Sequence, residues 1–163
     1  MSLVMFVIHD LEEIIWVDPV IKKHKKTILS RLPNGLKTKA EPMLNITSSQ
    51  FAVAVWIEFI PLTFVTYLAA ERGEYWGYLA FITIFFIHVF THLGQSLLLR
   101  IYTPGVVSAV LVVLPFTSYV LYRMTNESLV SWNEVFVSIA FGLILIPIVL
   151  TGHKIGKKLV ASG

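Results

Sequence analysis

The chain has 163 residues, 56% of them hydrophobic and only 14% charged, with a net charge of +3 and a mean hydropathy of +0.75. Soluble domains carry about 25% charged residues, so composition excludes an ordinary soluble domain and points to one integral membrane domain, 1–163. The lack of any cysteine excludes disulfides, thiolate nucleophiles and Cys-ligated zinc or iron–sulfur sites. A metal held here takes nitrogen and oxygen ligands, which suits Zn, Fe, Mn or Ni.

The first apolar stretch covers about 1–17 and ends at Asp18-Pro19. It lacks a basic leader and is interrupted by acids, unlike a signal peptide. Within it lies His9-Asp10-Leu11-Glu12-Glu13. Residues three and four apart share a helix face, so His9, Glu12 and Glu13 are expected to form one cluster, with Asp10 turned about 100° away from His9. A basic loop is expected over 18–43, carrying Lys22, Lys23, Lys25, Lys26, Arg31, Lys37 and Lys39.

The second stretch, 44–70, carries Glu58 in its middle, with Pro61 just after it. The third, 75–99, carries His88 and His92, the i,i+4 spacing by which two imidazoles on a helix chelate one ion. Gln95 continues that face, and Arg100 and Tyr102 follow in the connection. The fourth and fifth stretches, 105–124 and 134–152, have no ionisable residue in their interiors and read as scaffold. Each stretch approaches the roughly 20 residues that cross a bilayer, the first being short. The expected fold is therefore all-α, a polytopic membrane helix bundle with about five transmembrane helices. No internal repeat is visible.

Eleven Lys and Arg fall on one side of these spans, in the loop after span one, at Arg100 and after span five, against Arg72 and Arg123 on the other. The positive-inside rule then puts the C-terminus in the cytoplasm and the N-terminus outside, in the cell membrane. The same asymmetry explains the positive charge as a lipid-facing topology signal. Without an aromatic or RNA-module pattern, nucleic acid is not an expected partner.

His9, Glu12, Glu13, Glu58, His88 and His92 are the expected metal ligands. Taken singly, each has a plainer reading: an interhelical hydrogen-bonding histidine, a protonated packing glutamate, an acid reaching the interface. Together they lie at one depth on three helices, within roughly 6 Å at 1.5 Å per residue. Charge near the bilayer centre costs at least a few kcal/mol, and scattered polar residues would not fall in one layer.

His9-Asp10-Leu11-Glu12-Glu13 resembles the signature of the HXXEE-motif family of small prokaryotic membrane proteins. Glu58, the His88/His92 pair and Tyr102-Thr103-Pro104-Gly105 are similar to that family's downstream elements, over roughly residues 5–110. The resemblance implies a metal-dependent membrane protein and leaves its reaction open.

The expected function is a membrane-embedded metal-dependent hydrolase acting on an amphipathic or lipid-like small molecule, using one divalent ion, Zn or Fe, or two. Glu12 and Glu13 are the candidate catalytic carboxylates, Glu13 the preferred base. Gln95, Arg100 and Tyr102 are candidate substrate contacts, Arg100 for an anionic head. A di-iron lipid oxidase or hydroxylase is the alternative, since bundles build such centres from Glu and His. A proton-coupled carrier is a third, weakened by the lack of repeated halves. The remaining partner is the bilayer, with a homodimer left open.

Orientation is testable directly because the chain has no native cysteine. Lys25→Cys and Ser162→Cys are expected to resist a membrane-impermeant thiol reagent in intact cells, and Asn126→Cys to react. Labelling of the Lys25 position from outside would reverse the orientation.

Overall fold

A computed structural model describes residues 1–41 and 43–160. Pro42, in the expected basic loop, and the Ser162 labelling position lie outside the described residues. The helices are α1 (Ser2–Arg31), α2 (Asn34–Ala40), α3 (Ser48–Arg72), α4 (Trp76–Leu99), α5 (Val106–Ser108), α6 (Leu114–Asn126), α7 (Trp132–Gly142) and α8 (Leu145–Leu159). A short 3₁₀ turn, Met43–Asn45, precedes α3, and a π turn, Ala109–Val113, joins α5 to α6.

Among the described residues, four stretches are long and apolar enough to cross a membrane: Ser48–Arg72, Trp76–Leu99, Val106–Asn126 and Trp132–Leu159. The protein is an all-α membrane helix bundle. The first expected span differs from these because Asp10, Glu12 and Glu13 fall within one turn of α1. That half of α1 meets the bundle along a stripe: Ser2, Met5, Phe6, His9 and Asp10 are buried, at the three- and four-residue steps of a helix face.

The expected basic loop is largely helical. α1 continues through Pro19 to Arg31. Lys22 pairs with Asp18 one turn back at 2.8 Å, and Val20 and Ile28 are buried. The Arg31 guanidinium donates to the carbonyl of Leu99, a carbonyl left free at the end of α4. Lys25 Nζ reaches Asn45 Oδ1 at 2.6 Å. These ties give the juxtamembrane segment a surface to lie on, which charge pattern alone does not reveal.

Local sequence sets the other helix ends. Thr47 and Gln50 form a reciprocal capping box at the start of α3, and Ser131 and Glu134 do the same for α7, satisfying amides the helix leaves unpaired. Phe6, Leu62 and Phe81 form one buried cluster. Met5, Val89, Ala109 and Val113 form another. Both lie one turn before His9 and fix α1 between α3, α4 and the π turn. A third cluster joins α4, α6 and α7 through Leu79, Ile82, Leu121, Met124, Val130 and Val135.

α8 approaches α3 through two glycines four residues apart. A Cβ at Gly152 would stand 3.1 Å from Ala54 Cα, and one at Gly156 would collide with the Gln50 carbonyl oxygen. Small residues are what permit such backbone approach between membrane helices. Gly156→Leu is therefore expected to destabilise the bundle by about 1–3 kcal/mol, the usual cost of overpacking. Unfolding in mixed micelles measures it, and unchanged stability would show that the crossing is looser than described.

Candidate metal centre

Two helices supply four ligand groups at matched spacing: His9 and Glu13 on α1, His88 and His92 on α4. One ligand atom from each lies within 4.8 Å of every other. The i,i+4 step stacks each pair on one helix face. His88 Nε2 and His92 Nε2 are 2.8 Å apart, and His92 Nε2 is 3.4 Å from Glu13 Oε1. The three imidazoles meet edge to face, with centroids 5.0 Å apart for His9–His92 and 4.3 Å for His88–His92.

Neighbouring hydroxyls orient the rings. Ser108 Oγ donates to the Gly105 carbonyl at 3.3 Å. Its lone pair thus accepts from His9 Nδ1–H at 3.0 Å, leaving Nε2 unprotonated. Thr91 Oγ1 donates to the His88 carbonyl at 2.7 Å and stands 3.2 Å from His88 Nδ1, setting that ring in the same way. Such outer contacts fix the tautomer of metal-binding histidines.

His9 Nε2 is buried and has no hydrogen-bond partner. A polar atom buried without a partner costs about 1–3 kcal/mol. A free nitrogen within 4.8 Å of ligand atoms from two further imidazoles and a carboxylate fits a metal ion. The group can hold a metal with three nitrogens and one oxygen.

Glu12 serves a different neighbour. Tyr102 Oη donates to its Oε1 at 2.6 Å, Val107 N–H to Oε1 at 3.3 Å, and Ser108 N–H to Oε2 at 2.6 Å. It caps the first turn of α5, where amides have no helical acceptor. Burial and the Glu12 carboxylate push the Tyr102 phenol above its ordinary range, which keeps it protonated and donating. The sequence-predicted partners His9, Glu12 and Glu13 thus divide: two face the ligand group and one secures the helix that carries Ser108.

Glu58, on α3, stands outside the group of four but lines the same cavity, of about 390 Å³, with His9, Glu13 and His88. Gln95 and Arg100 are exposed and are not among the residues lining this cavity. Tyr102 lines a separate groove beside Glu12 and Trp16.

Sequence reasoning set Asp10 aside. It is buried, its Oδ2 has no partner, and it lies within charge-interaction range of Glu58 and Glu13. The available signal was its spacing from Glu13, three residues, which puts both on one face. Ser108 and Thr91 carried no signal, because they act through contacts between segments distant in sequence or through a ring's second nitrogen.

Gly105 closes the site. Its φ is +84°, and a Cβ there would lie 2.7 Å from His92 Cε1 and 2.9 Å from Glu13 Cγ. Only glycine meets both demands without strain. The Tyr102-Thr103-Pro104-Gly105 connection therefore rests directly on two ligands.

Among known proteins, residues 1–120 match the family described as proteins of unknown function with an HXXEE motif. The chain belongs to that family. It is also similar to the uncharacterized protein YrkK of Bacillus subtilis (strain 168), 27% identical over 161 residues covering 93% of this chain and 90% of that protein. No solved structure matches.

Two variants test the centre. Gly105→Val is expected to abolish stoichiometric metal in the purified protein by displacing His92 and Glu13. Ser108→Ala is expected to lower metal affinity about 10–100-fold while the bundle stays folded, as loss of an orienting contact does. Elemental analysis with competing chelators measures both, and wild-type affinity in both variants would contradict the arrangement.

Proposed function

We propose that this protein is a metal-dependent membrane enzyme that hydrolyses an amphipathic or lipid-like substrate. The observation that carries the reading is the position of the ligand group: His9, Glu13 and His88 form one side of a cavity whose other walls are mostly apolar side chains of α3, α4 and α8. Pockets that place a few polar groups among apolar walls are the usual form of a small-molecule site. The eleven-to-two division of Lys and Arg supports an N-terminus outside the cell and a C-terminus in the cytoplasm.

His9, His88, His92 and Glu13 would hold the ion, Zn first by the donor set. A divalent ion supplies Lewis acidity, polarising a carbonyl or phosphoryl oxygen and making a water acidic near neutral pH. With Glu13 among the ligands and Glu12 occupied at α5, the base falls to Glu58. It reaches the same cavity from a third helix, where it can take a proton from water. Asp10, beside it, offers the carboxyl to which that proton can pass. Ser108 and Thr91 hold their rings fixed through the cycle, and the aromatic wall at Phe81 and Phe85 excludes competing water.

The carboxylates also favour a second reading. Asp10, Glu13 and Glu58 interact beside three histidines, the mixture from which helical bundles build di-iron centres. Such a centre would oxidise rather than hydrolyse.

Purified protein of known metal content, assayed on chromogenic acyl esters and fluorogenic phospholipids, separates the two. Hydrolysis lost on chelation and restored by Zn supports the proposal. Dioxygen consumption by the iron-loaded protein without hydrolysis would replace it with the second reading. Glu58→Gln is expected to lower kcat by about 10²–10⁴-fold, the usual contribution of a general base, with metal content unchanged. Full turnover in that variant would remove Glu58 from the base role.

A further inference from the structure

The cavity has a second polar end. His153, on α8, lines it together with Glu58, His9 and His88. Its ring packs on Phe51 with centroids 5.2 Å apart, and its Nδ1 is buried with no hydrogen-bond partner. Lys157, one turn further along α8, lies within charge-interaction range of this ring. The segment from His153 onward also carries Lys154 and Lys158, a composition suited to the membrane edge.

Helix pairing sets the distance between the two ends. Gly156 faces Gln50 and Gly152 faces Ala54, so α3 and α8 run antiparallel, with His153 level with Val53 and Glu58 level with Ile148. The five residues from Val53 to Glu58 span roughly 7–8 Å along the helix. Between these levels the wall is apolar, including Ile87, Ile148, Val149 and Leu150.

We propose that His153, with Lys157, forms a second subsite that binds the anionic head of a single-chain amphiphile, a phosphate or carboxylate, whose reacting bond lies roughly 7–8 Å deeper at the histidine–carboxylate centre. The subsite rests on the amphiphile-processing reading above and narrows it to substrates with an anionic head at that separation. His153 supplies a neutral N–H donor and Lys157 a cation that holds the head at the membrane edge. The chain then follows the apolar wall inward. The head-group role expected of Arg100 passes to these residues, because Arg100 does not reach the cavity.

The test uses the full-length protein purified in maltoside micelles, with dodecyl phosphate, dodecanol and inorganic phosphate as probes and native mass spectrometry as the readout. His153→Phe keeps a ring against Phe51 and removes the nitrogens. It is expected to weaken dodecyl phosphate binding about tenfold or more, the loss of one hydrogen bond to a charged group, while dodecanol binding and metal content stay as in the wild type. Ile148→Trp fills the apolar wall and is expected to weaken both alkyl probes. Unaltered dodecyl phosphate binding in His153→Phe would overturn the subsite. So would inorganic phosphate binding as tightly as dodecyl phosphate, since the chain would then contribute nothing. A protein that never carries metal but shows the His153-dependent preference would keep the subsite and sink the metal-enzyme reading.

Discussion

Three imidazoles and a carboxylate gathered inside an apolar bundle need partners that water cannot supply, and the surrounding helices are arranged to provide them. Charged or unpaired polar groups at membrane depth are costly. The bundle answers in part with hydroxyls that hold the outer nitrogens of two of the rings. His9 and His88 each turn one nitrogen toward a hydroxyl. His9 Nε2, facing the other two imidazoles, has no protein partner. At His9 one nitrogen is thus held by a hydroxyl and the other left without a partner, the state of an imidazole with a free ligand atom.

Glu12 makes this arrangement hold together. Its two oxygens take up three donors from the Tyr102 hydroxyl and the first turn of α5, and so fix Ser108 against His9. The adjacent Glu13 points about 100° around the helix, toward the ligand group. A pair of neighbouring glutamates thus joins α5 to α1 and contributes a candidate ligand. The left-handed backbone at Gly105 lets the connection come close enough for both contacts. The π turn immediately after Ser108 is a local widening of the kind that recurs at functional sites.

Much of this was legible in the sequence, for reasons that differ by residue. The apolar segments were readable because backbone polar groups in lipid demand long uninterrupted helices. The pairs His9/Glu13 and His88/His92 were readable because a four-residue step fixes a shared face regardless of tertiary context. Glu12 and Glu13 could not be assigned separate duties, since that depends on where α5 begins relative to α1. Asp10 was set aside by its angle to His9 alone, although its spacing from Glu13 placed it on the same side. Gln95 continued the helix face and Arg100 followed it in the connection, but both are exposed and neither lines the cavity. His153 lay outside the expected limits of the fifth span, and only the crossing of α8 on α3 brings it to the cavity. The helical course of the basic segment depends on the Leu99 carbonyl and Asn45, partners that local charge does not announce.

The central claim is that His9, Glu13, His88 and His92 hold one metal ion together. X-ray absorption spectroscopy of the metal that co-purifies with the protein tests it most directly. The account predicts a first shell of nitrogen and oxygen only, with outer scattering from about three imidazole rings, the donor set expected of a cysteine-free site. It also predicts that this imidazole signal falls in His9→Ala. Protein that purifies without metal, or a metal shell lacking imidazole scattering, would contradict it.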